Sequence, residues 1–365
     1  MEMEIFLAAP PGLEALLAAE AGEKGFARPV AVPGGVTVQG GWPEVWRTNR
    51  ELRGAGRVLA RIGGFRAFHL AQLDKRARKF AWGDVLRPDV PVRVEASCRG
   101  SRIYHAGAAA QRIERAIAEE LGAPVAAEAA LRVLARIDDN LVTLSVDTSG
   151  DLLHRRGHKS FVGKAPMRET LAALFLRACG YDGTEPVLDP MCGSGTFVLE
   201  AAEIAATGLA PGRSRHFAYE SLASFDATAL PALGGGMAPE HLCFGHDRDS
   251  GAIAGATANA ARAGVGEFTR FTQGAISDLP RPEGPPGLVI VNPPYGTRIG
   301  QKKLLYGLYG ALGEVLRSRF SGWRVGIVTT EGGLAKATGL SFSDIGPPVP
   351  HGSLKIRLYR TEALS

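Results

Sequence analysis

The apolar positions of this chain change rhythm once. Up to about residue 150, strand-like alternation mixes with helical spacing; beyond it, short apolar runs alternate regularly with amphipathic stretches. Glu4-Ile5-Phe6-Leu7-Ala8-Ala9 reads as a strand, and Leu13, Leu16, Leu17 and Ala21 then recur at helical spacing. Gly34-Gly35 leads into a strand at Val36-Thr37-Val38. Across 42–62, Arg47, Arg50, Arg53, Arg57 and Arg61 recur at intervals of three and four, near one face of a predicted helix. Such a row is either a solvated face or a track for phosphates. A strand at 92–96 and a helix at 111–121, closed by Gly122, come next. Strands at 132–137 and 141–146 flank Asp138-Asp139-Asn140, a hairpin signal. Residues 150–164 are polar, basic and glycine-bearing, and read as a linker.

From Pro166 the pattern becomes regular. A helix at 166–178 opens on its proline, where a missing N–H costs nothing. Strands are predicted at 186–189, 241–247, 268–273, 287–291 and 323–329, helices at 195–206, 250–263 and 303–319, and a closing hairpin with its last strand at 353–360. The class is α/β: a parallel, doubly wound sheet behind an α+β N-terminal region. Residues 207–240, rich in Gly, Ala and Pro, read as an insertion between the first two βα units.

A chain of 365 residues exceeds one ordinary core, so two or three domains are expected. No apolar run reaches the ~20 residues of a membrane span, and the acidic Met1-Glu2-Met3-Glu4 is unlike a signal peptide. Cys98, Cys179, Cys192 and Cys243 form no C-x-x-C pair. That argues against a zinc site or disulfide framework and for a reducing cytoplasm; no metal is expected. Residues 47–112 hold 15 Lys/Arg against 5 Asp/Glu, whereas 166–365 hold 18 of each. A polyanion-binding module tethered to a catalytic one would show this asymmetry. A solvated basic surface without a partner would show it too.

Two loops carry the chemistry. The first is Leu188-Asp189-Pro190-Met191-Cys192-Gly193-Ser194-Gly195-Thr196. In a doubly wound sheet, ligands bind beyond the carboxyl ends of the strands. Asp189 ends a strand there, and Gly193-Ser194-Gly195 turns into a helix whose N-terminus favours an anionic group. The string resembles motif I of class I S-adenosylmethionine-dependent methyltransferases, in the version found with amino-group targets. The resemblance implies that Asp189, Met191, Cys192, Gly193, Gly195 and Thr196 face the methionine part of that cofactor. An acid at the end of the second strand should hold ribose hydroxyls. Asp247 is nearer that end, with Arg248 beside it, whereas Asp249 reads as a helix N-cap and His246 as structural. Asp247 follows Asp189 by 58 residues, where a compact dinucleotide fold has ~20; the 207–240 insertion accounts for the excess. Related enzymes usually place a carboxylate for adenine where Ala275 stands, and Asp278 is either its substitute or plain surface.

The second loop, Asn292-Pro293-Pro294-Tyr295, follows Leu288-Val289-Ile290-Val291. An exocyclic amine on a nucleobase is a poor nucleophile, because its lone pair is delocalised into the ring. The Asn292 side-chain oxygen and the Pro293 carbonyl can each accept one N–H and so orient the lone pair without a strong base. Two prolines stiffen the loop, and Tyr295 offers a face for stacking an extruded base. The tetrapeptide resembles motif IV of amino methyltransferases, which fixes the atom type but not the substrate. Gly296-Thr297-Arg298 extends the match, with Arg298 either a phosphate ligand or a surface residue.

Taken whole, the chain resembles the THUMP-containing RNA methyltransferases, above all the bacterial 23S rRNA guanine-N2 methyltransferases. The likeness lies in Gly12-Leu13-Glu14-Ala15-Leu16-Leu17, Gly34-Gly35-Val36, Arg99-Gly100-Ser101-Arg102-Ile103-Tyr104 and Val146-Asp147-Thr148-Ser149-Gly150. It continues through the junction His154-Arg155-Arg156-Gly157-His158 with Ala165-Pro166-Met167-Arg168-Glu169-Thr170-Leu171-Ala172, and ends at Gly322-Trp323. It implies a ferredoxin-like region at 1–45, a THUMP RNA-binding domain at 46–150 and a Rossmann-like methyltransferase domain at 151–365. Thr170 and Asn292 would line the cofactor pocket, and Arg53, Arg57, Arg61, Arg99, Arg102 and Arg298 would meet RNA. Some members carry a second, C-terminal methyltransferase domain; here a single one is expected. The alternatives are a tRNA guanine-N2 methyltransferase, an adenine-N6 nucleic-acid methylase, and an RNA-binding or assembly protein without catalysis.

Overall fold

In the first part of the chain, alternation builds a sheet. Its elements are β1 (Met3–Ala8), α1 (Glu14–Glu23), β2 (Ala27–Val32), β3 (Gly35–Gly40), α2 (Trp42–Glu51), β4 (Arg57–Arg66), α3 (Leu70–Arg78), β5 (Val92–Arg99), α4 (Ala106–Leu121), β6 (Leu131–Asp138) and β7 (Leu141–Asp147). They come from a computed structural model that describes residues 2–162, 167–230, 232–233, 236–295 and 302–365. In β1, Met3, Ile5 and Leu7 are buried and their neighbours are half-buried, the period of two that a strand imposes. The seven strands run β2-β3-β1-β4-β7-β6-β5. β1 pairs with β4, as in Leu7↔Val58, so the residues on either side of position 45 share one sheet. At the β6–β7 hairpin, Asp139 and Asn140 have φ of 46° and 60°. A two-residue turn of this kind needs positive φ at both positions, and Asp and Asn tolerate it.

The arginine row is not one helix face. α2 stops at Glu51, and Leu52 is already extended. The buried Glu20 carboxylate accepts the Arg53 and Gly54 amides at 2.6 and 2.9 Å, a better offer than another helical turn. From Arg57 the chain is strand, with Val58 and Ala60 buried between half-buried Arg57 and Arg61. Arg57 pairs with Asp147 and Arg61 with Glu4.

The second part follows the predicted alternation: α5 (Glu169–Ala178), β8 (Val187–Asp189), α6 (Thr196–Ala205), β9 (Cys243–Asp247), α7 (Ser250–Arg262), β10 (Thr269–Gln273), β11 (Leu288–Val291), α8 (Lys302–Arg319), β12 (Arg324–Thr329), α9 (Gly332–Ala337), β13 (Asp344–Ile345), β14 (Val349–His351) and β15 (Leu354–Arg360). Pro166, the expected helix start, lies outside the described residues. The sheet order is β10-β9-β8-β11-β12-β15-β13, with β14 paired to β15. β10 to β12 are mutually parallel across this path and β15 is antiparallel to β12. Its strands β11 and β12 are walled by Leu305, Tyr309, Leu312 and Leu316 of α8, all buried.

The chain forms two compact units, and the 207–240 stretch divides between them. Arg215–Ala232 belongs to the first unit, Met1–Ala9 with Leu17–Leu153; Pro10–Leu16, His154–Ser214 and Leu233–Ser365 form the second. Tyr219 N donates to Thr148 O (3.1 Å) and Ala223 N to Val85 O (2.9 Å). The insertion between the first two βα units is thus largely a return to the first unit. No helix among the described residues is long and apolar enough to cross a membrane.

Asp147 is the hub of the first unit. Its side chain is fully buried, pairs with Arg57 and Arg132, and accepts the Ser149 amide at 3.0 Å. Asp147→Ala should therefore cost about 3 kcal/mol, because two guanidiniums lose a buried partner. Urea unfolding measures this, and a loss below about 1 kcal/mol would contradict it.

Candidate active site

β8 lies between β9 and β11, where the strand order reverses, and such a switch opens a crevice at the carboxyl ends. The registers Leu188↔Val289 and Asp189↔Gly245 bring the ends of all three strands to one edge. Asp189, Asp247 and Asn292 are the residues at those ends.

Asp189 is buried, and its Oδ1 accepts the Met191 amide at 3.0 Å. Burial, helped by the charge of Asp247 and opposed by that amide, pushes its carboxyl up to about 8. The Cys192 amide donates to His246 O at 2.9 Å. The Gly193 amide donates to Asp247 Oδ2 at 2.9 Å, and Asp247 Oδ1 accepts the Asp249 amide at 3.0 Å. One carboxylate thus ties the glycine turn to the loop that follows β9. Gly193 has φ +52°, and nothing lies within 4 Å of where a Cβ would stand, so this backbone is open to a ligand. Gly195 has φ +85°, and a Cβ there would sit 2.8 Å from Leu199 Cδ1 and 3.2 Å from Ala256 Cβ. It must be glycine for conformation and for space.

Asp249 caps α7, accepting from Gly251 N (2.8 Å) and Ala252 N (3.2 Å). His246 is buried, with Nδ1 2.9 Å from Thr272 Oγ1 and Nε2 3.2 Å from Ala275 O. Both match their expected structural roles. Arg248 is exposed, and Met191 packs on the apolar cluster around α8. The Ala275 carbonyl is occupied by His246 and by the Asp278 amide at 2.9 Å, and the Asp278 side chain is exposed.

In the second loop, Asn292 Oδ1 is buried and has no hydrogen-bond partner among the described residues. Leaving such an acceptor unmet costs about 1–3 kcal/mol, a cost that an incoming N–H donor would remove. Pro293 is buried, and half-buried Tyr295 packs against the α8 cluster. Arg298, with Gly296 and Thr297, lies outside the described residues.

Thr170 is buried in the first turn of α5, beside Glu169. Lys159 Nζ lies 3.1 Å from Glu169 Oε1 and 2.5 Å from Thr196 Oγ1, joining the starts of α5 and α6. Arg156 and Glu200 form a buried ion pair at 3.0 Å. Burial lowers the His158 pKa, against the pull of Glu203. Lys159 and the fully buried Asn259 escaped the sequence reading. The usable signal was a lone Asn in the middle of an alanine-rich helix, a polar group that burial would oblige to find partners.

Of the other candidates, Arg53, Arg57, Arg61, Arg99 and Arg102 lie in the first unit. Arg99 and Arg102 are exposed where β5 runs towards α4. The Arg102 amide donates to Asn140 Oδ1 at 2.9 Å, its guanidinium sits 5.6 Å from the Phe68 ring centroid, and Tyr104 is 86% exposed.

This strand order, with a glycine turn after the first parallel strand and an Asn-Pro-Pro-Tyr loop after the fourth, defines a Rossmann-like methyltransferase sheet. The chain belongs to the family of RMKL-like methyltransferase domains, whose model matches residues 156–345. The RlmL ferredoxin-like domain model matches residues 4–59. The ribosomal RNA large subunit methyltransferase K/L of Chromohalobacter salexigens is 33% identical over 93% of this chain and 49% of its own length. That of Syntrophotalea carbinolica is 34% identical, over 93% and 50%. The chain thus spans about half the length of these curated relatives. Among solved structures, a possible methylase from Clostridium difficile matches with TM-score 0.86 and 26% identity, covering 100% of this chain and 99% of that one. A predicted N6-adenine-specific DNA methylase from Listeria monocytogenes matches with TM-score 0.85 and 26% identity, covering 100% and 97%.

The buried Asp189 yields a pH prediction. Its folded-state pKa is raised to about 8, above the ordinary ~3.9 of the unfolded chain. Its contribution to stability is therefore full below about pH 4 and is lost as pH rises towards 8. Asp189→Asn should flatten the fall in melting temperature between pH 5 and 8. An identical slope in wild type and variant would place the proton elsewhere.

Proposed function

We propose that this protein methylates the exocyclic N2 amine of a guanine in structured RNA, most readily 23S rRNA, using S-adenosylmethionine. The observation that carries the reading is the buried Asn292 Oδ1, without a partner among the described residues, at the carboxyl end of β11 beside the glycine turn. The curated relatives, named as ribosomal RNA large subunit methyltransferases, support the substrate class. Action in the cytoplasm goes with that substrate.

The residues of the first loop fit such a cofactor. The open backbone at Gly193 and the N-terminus of α6 at Thr196 suit a carboxylate. Asp247, Arg248, Met191, Cys192 and Thr170 complete the proposed pocket. S-adenosylmethionine, when bound, supplies an electrophilic methyl group. Asn292 Oδ1 accepts one N–H of the amine and the Pro293 carbonyl the other, which turns the nitrogen lone pair out of conjugation and fixes its direction. Tyr295 stacks the extruded base. Asp189, which holds its proton up to about pH 8, keeps a second full negative charge away from Asp247.

The proposed division of labour gives 1–45 and 46–150, as ferredoxin-like and THUMP regions, the RNA, and 151–365 the chemistry. Arg99 and Arg102 are the leading RNA contacts, flanked by Phe68 and Tyr104 for stacking. Arg57 and Arg61 are held in ion pairs, so their variants report first on folding.

Asn292→Ala should slow single-turnover methylation on the order of 10²–10³-fold at saturating cofactor and RNA. Tyr295→Ala should lose about 1–3 kcal/mol in RNA-dependent steps, and Tyr295→Phe little, since the ring face acts. A near-normal rate in Asn292→Ala, or equal damage from both Tyr295 variants, would sink the mechanism. Mapping the methylated position in 23S rRNA, tRNA and DNA substrates decides among guanine N2, adenine N6 and no catalysis.

For the RNA face, Arg99→Glu with Arg102→Glu should weaken RNA binding and flatten its salt dependence, by about one unit of slope for each phosphate that is no longer neutralised. Wild-type affinity and slope in that double variant would make the face a solvated surface.

A further inference from the structure

One side of α7 carries Gly255, Asn259 and Arg262, spaced four and three apart and so stacked on one stripe. All three meet the chain at 158–161. The Phe161 ring fills the place of a Gly255 side chain: a Cβ there would stand 2.3 Å from Phe161 Cδ1. Arg262 Nε donates to His158 O at 2.9 Å. Asn259 Oδ1 accepts the Ser160 and Phe161 amides, both at 3.3 Å, and its Nδ2 donates to Phe161 O at 3.0 Å. The same Nδ2 donates to Ser194 O at 3.1 Å. Ser194 is the middle residue of the Gly193-Ser194-Gly195 turn. Asn259 is completely buried, so neither its donors nor its acceptor can exchange these partners for water.

The geometry points to Asn259 as a positioning residue for the cofactor turn. Its carboxamide reads the 160–161 backbone in both directions and directs its remaining donor capacity at the turn itself. The segment running past α7 and the glycine turn are thereby set by one side chain. Lys159 reaches the start of α6 from the same segment, through Thr196. The turn is thus gripped on its middle carbonyl and beside its last glycine. With Gly193 and Gly195 both at positive φ, the turn itself offers little resistance to alternative conformations. Asn259 removes that freedom before the cofactor arrives, which lowers the cost of binding.

The inference rests on the reading of that turn as the S-adenosylmethionine site. Asn259→Asp is the test, because it keeps the shape and replaces the shared donor with an oxygen facing two carbonyls. Affinity for S-adenosylhomocysteine, by calorimetry, should fall about tenfold or more. The single-turnover rate at saturating cofactor and RNA should stay within about threefold of wild type. Phe161→Ala, at a residue 36% exposed, loosens the segment without touching the core and should weaken cofactor binding several-fold in a protein of unchanged melting temperature. Unchanged affinity in folded Asn259→Asp, or in Phe161→Ala should the first variant not fold, overturns the positioning role. So does a loss of rate with affinity intact. Failure of the wild-type protein to bind S-adenosylhomocysteine would instead overturn the cofactor reading beneath it. Asp189→Ala, which should abolish binding, marks that boundary.

Discussion

Everything at the candidate site depends on β8 pairing in parallel with a neighbour on each side. A parallel strand delivers its next loop at the same edge as its neighbours' loops, and β8 is the strand from which the order runs both ways. Only there do loops diverge to opposite faces of the sheet and leave a crevice. β8 is short, Val187–Asp189, but it needs no length. Its task is to place Asp189 level with Gly245 and the 190–195 turn beside 292–295.

The edge thus assembled is unusual in its polar groups. Two carboxyl groups, Asp189 and Asp247, meet on adjacent strand ends, and burial resolves the conflict by favouring a proton on Asp189. Asp247 keeps its role as acceptor for the Gly193 and Asp249 amides. A third group, Asn292 Oδ1, is buried without a partner among the described residues. Structural polar groups rarely persist in that condition. Its neighbours, Val291 and Pro293, are buried, which fixes the backbone from which the amide projects. The acceptor is held ready, and the chemistry proposed for it needs only a donor that approaches in one direction.

Local rules made much of this legible. The Asp139-Asn140 turn, the N-cap at Asp249 and the alternation from β8 to β12 each depend on neighbours in sequence, and each was readable. The arginine row was not, because its fate was decided by Glu20, some thirty residues away, whose carboxylate draws the Arg53 and Gly54 amides out of helix. The 207–240 stretch is the expected insertion between the first two βα units, but where it packs was hidden for a related reason. Its composition says loop, but Tyr219 packs with Trp46 and Phe225, at 6.4 and 5.6 Å between ring centroids, and so belongs to the first unit. The site's motif residues were visible, whereas Asn259 and Lys159, which hold those motifs from behind, were not. A motif advertises the residues that face a ligand; the residues that position them advertise only a helix or a linker.

The basic surplus of residues 47–112 needs the same correction before it is read as affinity for RNA. Arg47 pairs with Glu51, Arg78 with Asp74, Glu119 and Glu120, and Arg87 with Asp89. Pairs as exposed as Arg87–Asp89 contribute little to stability, and a phosphate can displace their carboxylates. The Arg57–Asp147 pair does not yield in that way, since Asp147 is sealed and would lose one of the two guanidiniums that balance its buried charge. Charge count therefore overstates the field that a polyanion meets, and burial decides which arginines remain available to it. By that criterion Arg99 and Arg102, together with Lys75 and Arg76 of α3 and Lys79 at its end, all exposed and in no ion pair among the described residues, carry the part of the surplus left open to a polyanion.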